Sequence, residues 1–174
     1  MTNILWFDII RLNHTKLVNI ERSGVMKLST KGRYGVKAMV DLAIRYGDQP
    51  VSIKTISARQ NISEYYLEQL FAPLRKAKLI NSVRGAQGGY MLSRAPEEIT
   101  VFDIIEVLEG PIEVSECLDQ DVNCSNADCC ATRLLWARIK NSIDNVTKST
   151  SLKDIVGDYK SMNKEVSKGV KGNE

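Results

Sequence analysis

The sequence predicts a mainly α-helical fold with a small β-hairpin wing: a winged helix-turn-helix domain plus a long dimerisation helix. Three observations carry this expectation. First, Ser63-Glu-Tyr-Tyr-Leu-Glu-Gln-Leu-Phe71 joins a good N-cap to apolar residues Leu67, Leu70, Phe71 and Leu74 at i, i+3, i+4 and i+7, one helical face for a core. Second, Arg84-Gly-Ala-Gln-Gly-Gly89 separates two short runs, Leu79-Ile-Asn-Ser-Val83 and Tyr90-Met-Leu92, in the order strand, glycine-rich turn, strand. Third, Ala131 to about Val146 sets Leu135, Trp136, Ile139, Ile143 and Val146 on one side of a helix, a stripe that a small winged domain has no place to cover.

The elements follow in order. Residues 1–25 differ from the rest of the chain. Ile4-Leu-Trp-Phe-Asp-Ile-Ile10 is apolar but too short and too poorly flanked for a signal peptide or anchor. We expect a leader there, with a translation start at Met26 as one explanation. Residues 26–95 form the expected DNA-binding domain. Ser29 caps a first helix running to about Tyr46, with Val36, Met39, Val40 and Ala43 as its buried face, and Gly47-Asp-Gln-Pro50 ends it. Ser52 caps a short second helix to Gln60, Asn61-Ile62 makes the bend, and Ser63 caps the third. Glu64, Tyr65, Glu68 and Gln69 are not needed for packing, so this face is available to a major groove. An ordinary antiparallel helix pair is the competing reading. Pro73 is expected to kink the third helix or start a new turn. The hairpin is the wing, with Arg84 placed to enter a minor groove. A phosphate-binding loop would need a Gly-Lys-Ser/Thr ending and a following helix, and neither is present.

Residues 96–160 hold the expected cysteine loop and dimerisation helices. Thr100-Val-Phe-Asp103 is a capping-box variant opening a fourth helix, with Phe102, Ile105 and Leu108 as its apolar face and Gly110-Pro111 as its end. The long helix beginning at Ala131 is expected to bury its stripe on a second copy, giving a homodimer. Leu152, Ile155, Val156 and Tyr159 mark a last short helix. Residues 161–174, polar and rich in Lys and Gly, are expected to form a disordered tail.

Charge is distributed unevenly. Between Met26 and Ala95 stand twelve basic and four acidic residues; between Pro96 and Cys130 stand ten acidic residues and no Lys or Arg. A basic first half suits a polyanion, because Lys and Arg on phosphates release condensed counterions. A solvated, uneven surface is the plainer alternative. No run is apolar enough to span a membrane. A single histidine, His14, and the lack of any paired acid–base motif argue against an enzyme, so no catalytic residues are assigned.

All four cysteines lie between Cys117 and Cys130. That clustering suggests a metal or redox site in a reducing cytoplasm rather than a disulfide framework.

Met26-Lys-Leu-Ser-Thr-Lys-Gly-Arg-Tyr-Gly35, Tyr66-Leu-Glu-Gln-Leu70 and Arg84-Gly-Ala-Gln-Gly-Gly-Tyr90 resemble the opening, recognition helix and wing of the Rrf-two family of bacterial winged-helix regulators, in one register from Met26 to about Tyr159. The resemblance implies a sequence-specific transcriptional regulator that acts as a homodimer, more often a repressor, on a near-palindromic site in double-stranded DNA. It implies DNA contacts at Tyr65, Tyr66, Glu68, Gln69 and Arg84. Gln69 can pair bidentately with adenine and Glu68 can accept from cytosine N4, whereas Tyr66 also suits plain helix packing. Members that sense iron–sulfur status or nitric oxide carry three cysteines before the dimerisation helix, and Cys117, Cys124 and Cys130 match them. The resemblance therefore implies an iron–sulfur cluster, 2Fe–2S rather than 4Fe–4S, whose irons take soft sulfur ligands. The family's fourth ligand, a histidine, is replaced here by Arg133, which cannot ligate iron. Asp128, Cys129 or a residue of a second subunit remain as candidates, and zinc or a thiol–disulfide switch remain as alternatives. Cluster state would bias a two-state dimer and so alter promoter affinity. The cysteine-metabolism branch of the family lacks such a cluster and answers to a partner enzyme or to thiol redox.

Overall fold

A computed structural model of the chain describes residues 29–85, 87–118 and 130–169. The expected leader, Cys124, Asp128, Cys129 and the end of the expected tail lie outside the described residues. The helices are α1 (Thr30–Ile44), α2 (Ile53–Gln60), α3 (Glu64–Lys76), α4 (Val101–Glu109), α5 (Ala131–Ser149) and α6 (Leu152–Gly169). Strands β1 (Ile80–Val83) and β2 (Gly89–Leu92) form an antiparallel hairpin between α3 and α4, with Ile80 opposite Leu92 and Val83 opposite Gly89.

Four sequence-encoded caps start the helices. The Ser29 hydroxyl accepts from Lys31 N–H at 3.0 Å, Ser52 from Thr55 N–H at 3.2 Å, and Ser63 from Tyr66 N–H at 3.2 Å. Thr100 and Asp103 close a reciprocal capping box on α4, at 2.9 and 3.1 Å. Where the chain returns from α1, Val51 exchanges two backbone hydrogen bonds with Tyr90, at 2.9 and 2.8 Å, and so adds a third rung beside the hairpin. Gly89 permits this close pass, because a Cβ there would lie 2.3 Å from the Val51 carbonyl oxygen.

The core gathers α1, α3 and α4 around Met39, Leu42, Leu67, Phe71 and Ile104, and α2 adds Ile56. Leu152 and Val156 of α6 join it, and Ile99 and Leu108 from beyond residue 95 belong to the same cluster. A short bridge secures that junction: Val101 N–H donates to the Thr150 carbonyl and Leu152 N–H to the Ile99 carbonyl, both at 2.9 Å. The corner between α5 and α6 is thus stitched to the start of α4.

Several local expectations change. On α1, Met39 and Ala43 are buried as expected, but Val36 and Val40 are only half-buried, while Gly35, Ala38 and Leu42 face the core. The face is rotated because α4 approaches at Gly35, where a Cβ would stand 2.0 Å from Leu108 Cδ1. On α4, Ile104 is buried beside Ile105 and Leu108, and Phe102 is half-buried under Lys148, whose Nζ lies 4.5 Å from the ring centroid. Pro73 does not divide α3, which runs through it to Lys76. The helical bond that Pro73 forfeits belongs to the carbonyl of Gln69, an exposed residue where water can take its place. Finally, α6 is not short. It extends to Gly169, through part of the expected tail, because Lys160, Met162, Lys164 and Glu165 are good helix formers and no proline intervenes.

Candidate nucleic-acid interface and cysteine site

The bend between α2 and α3 rests on Asn61, which adopts a left-handed conformation (φ 52°, ψ 50°), and on Ile62, buried beneath it. The pair is braced from α1. Asp41, 4% exposed, accepts from Arg59 Nε at 2.9 Å, from Arg59 Nη2 at 2.5 Å and from Gln60 Nε2 at 3.1 Å. A bidentate guanidinium–carboxylate pair of this kind fixes orientation as well as charge. It holds the last turn of α2, and hence the bend, against α1.

With its apolar stripe in the core, α3 turns Glu64, Tyr65, Glu68 and Gln69 to solvent, and Tyr65 is 72% exposed. Tyr66 differs. It is half-buried, edge-on to Tyr34 of α1 with centroids 6.0 Å apart and an interplanar angle of 83°. Arg84 is exposed where β1 enters the wing turn. Among the described residues neither Glu68 nor Arg84 is engaged in an ion pair. An open groove between the wing and the start of α2 is lined by Arg45, Gln49, Ser52, Thr55 and Gln87. The sequence marked Ser52 only as a cap. Nothing in its spacing pointed to this groove, because the Val51–Tyr90 pairing that creates it is a tertiary contact.

The cysteine loop is described at its two ends. Cys117 lies in the single turn Glu116–Leu118, its Sγ 3.1 Å from the Ser115 hydroxyl. Cys130 occupies the N-cap position of α5, its Sγ 3.1 Å from Thr132 Oγ1. The Thr132 hydroxyl, then the Arg133 backbone N–H and, more weakly, the Arg133 charge hold the Cys130 thiol below the usual cysteine range. Arg133 Nε also donates to the Cys117 carbonyl at 3.0 Å and ties the two ends together. Among the described residues, no three Cys, His, Asp or Glu side chains come close enough together to hold a metal ion; Cys117 and Cys130 offer soft sulfur donors at the two ends of the loop. Arg133 is spent on that carbonyl, and a guanidinium, always protonated, offers no lone pair to a metal.

Beyond this loop α5 buries none of its 19 residues. Leu134, Leu135 and Val146 are exposed at 63%, 49% and 65%, and Trp136, Ile139 and Ile143 are half-buried. No described helix is long and apolar enough to cross a membrane.

Comparison with known proteins places this arrangement. The family model described as "Rrf2: Iron-dependent Transcriptional regulator" matches residues 28–158. The chain belongs to the Rrf2 family. It is a helix-turn-helix transcriptional regulator, and the family is not one of enzymes. This Rrf2 chain is 48% identical over 130 residues to the HTH-type transcriptional regulator CymR of Bacillus subtilis (strain 168), covering 75% of this chain and 89% of CymR. The structure of CymR (YrzC), the global cysteine regulator of B. subtilis, superposes with a TM-score of 0.67 at 47% identity, over 76% of this chain and 98% of that one. The structure of T. potens IscR superposes with a TM-score of 0.63 at 50% identity, over 76% and 88%. The mainly helical fold with its two-stranded wing is shared with both.

Proposed function

We propose that this Rrf2 regulator acts in the cytoplasm as a homodimer that represses transcription from near-palindromic promoter sites. The observation that carries the reading is the solvent-facing polar side of α3 beside an exposed Arg84, both set on a buried core. Tyr65, Glu68 and Gln69 face the base edges of the major groove, with Gln69 suited to adenine and Glu68 to cytosine, and Arg84 enters the adjacent minor groove. Tyr66 serves the interface by packing on Tyr34. The bare stripe of α5 is the seam between protomers, and it sets the two recognition helices about one DNA turn apart. Alanine at Gln69 or at Arg84 is expected to weaken binding to a cognate duplex by about 1–3 kcal/mol each. Fluorescence anisotropy that finds both variants as tight as the parent removes this interface.

The strong likeness to the cysteine regulator supports an input of the cysteine-metabolism kind, in which a partner enzyme or thiol redox at the cysteine loop sets promoter affinity without a cluster. The depressed Cys130 thiol fits this, because the thiolate is the reactive form. A second reading is favoured by the spacing of Cys117, Cys124 and Cys130 and by the likeness to IscR. In it these three thiolates hold an iron–sulfur cluster, 2Fe–2S rather than 4Fe–4S, with a fourth ligand from elsewhere. Such a group, when bound, would supply sensitivity to oxygen or nitric oxide. Iron and sulfide assays on protein purified without oxygen separate the two. Neither element in the parent protein supports the first reading. Stoichiometric iron and sulfide, lost in Cys117→Ala, Cys124→Ala and Cys130→Ala but kept in Cys129→Ala, supports the second.

A further inference from the structure

We propose that α1 is a third DNA-contacting element, in which Arg33 and Lys37 seat a phosphate of the duplex backbone beside the N-terminal end of the recognition helix. This rests on the DNA-binding reading and extends it from α3 and the wing to α1.

The charges of α1 run against its own electrostatics. Its first turn carries Lys31 and Arg33 and no acidic residue. The helix dipole makes that end positive and disfavours cations there. Arg33 and Lys37 stand four residues apart on one face, where like charges repel. Both are exposed, and among the described residues neither has an ion-pair partner. The acid that this terminus lacks comes from α4. Glu109 Oε1 accepts from Gly32 N–H at 2.8 Å, from the Ser29 hydroxyl at 2.9 Å and from Ser29 N–H at 3.1 Å. That carboxylate satisfies backbone donors and leaves the two cations open.

Their position is set by Tyr34, which lies between them in sequence. Its edge-on contact with Tyr66, the third residue of α3, ties this part of α1 to the end of α3 that enters a groove. Lys37 Nζ lies 6.0 Å from the centroid of the Tyr34 ring, so it is held near the same spot. The neighbouring Tyr65 is 72% exposed. Cations kept at a cost in helix stability, beside a groove-entering helix, match the phosphates that line the groove. Such contacts position the protein and carry no base information.

The test uses the full chain, a duplex that the parent protein selects from a random pool, and an unrelated duplex of equal length. Affinities of Arg33→Gln, Lys37→Gln and the double variant are measured across a salt series. Lys153→Gln on α6 serves as a control, since that side chain lies 3.7 Å from Glu97. The α1 variants should weaken both duplexes by the same factor and keep their ratio. The slope of log K against log salt should fall by about 1 for each cation removed. Their melting temperatures should hold or rise, because Arg33 opposes the dipole and the two cations repel each other, and the control should bind as the parent does. A double variant with the parent's slope overturns the proposal and leaves the patch to an acidic protein partner. Loss confined to the selected duplex also overturns it, since that would mean base reading or a displaced α3. A parent protein that binds neither duplex overturns the regulator reading itself, and the α1 seat with it.

Discussion

Asp41 is a carboxylate held 4% exposed inside α1, a burial that would be costly without a partner. Arg59 supplies two hydrogen bonds and Gln60 a third, and Arg59 keeps 29% of its side chain in solvent. The two partners should therefore respond unequally to mutation. Arg59→Ala leaves a buried charge with one amide donor, and should cost about 3 kcal/mol. Asp41→Asn leaves a guanidinium that can turn to water, and should cost roughly 1–2 kcal/mol. Urea denaturation of the two variants measures the difference, and equal losses would mean that the pair is not what braces α2. In the sequence Asp41 was only one acid among basic neighbours. Its role depends on a residue eighteen positions away, a separation that no local pattern encodes. Ser29, Ser52, Ser63 and Thr100 were legible, because a cap and the amide it serves are two or three residues apart.

Among the elements, α6 shows how a helix start can be built from a pair of residues. Ser151 N–H donates to Asp154 Oδ2 at 2.8 Å, and Asp154 N–H donates to the Ser151 hydroxyl at 3.2 Å. The Ser151 hydroxyl and then its N–H hold the Asp154 carboxyl below the usual aspartate range. A depressed folded value means that the ionised form favours the fold. This contribution is complete above the ordinary aspartate pKa and disappears as pH falls through the lower, folded value. Helical circular dichroism should therefore report a loosening of α6 on strong acidification. Asp154→Asn should show part of that loss already at neutral pH, with a flatter acid dependence. An Asn variant that tracks the parent throughout would remove Asp154 from the cap. The length of α6 was not legible, since its polar composition beyond Ser161 reads equally well as tail. Leu152 and Val156, anchored in the core, give the helix a base from which to propagate.

For the whole molecule, the apolar face of α5 is a surface that a single chain leaves uncovered. Leu135 is 49% exposed and Ile139 half-buried within a single chain. If a second copy covers them, Leu135→Ala and Ile139→Ala should shift the protein toward monomer and lower its affinity for a two-half-site duplex more than for a half-site. Multi-angle light scattering showing an undiminished dimer would place the seam elsewhere. The sequence by itself determined the helix and hairpin order, the four caps at Ser29, Ser52, Ser63 and Thr100, the polar outer side of α3 and the long helix whose stripe a single chain leaves exposed. These depend on periodicity and on residues within one turn of each other, where chain geometry leaves little choice. Tertiary structure alone decided which face of α1 meets α4, that Tyr66 packs on Tyr34, that Val51 joins the hairpin, and that Arg133 ties Cys117 to the start of α5. Each depends on segments brought together by burial of a common core, and side-chain chemistry at one position does not specify the distant group that will meet it.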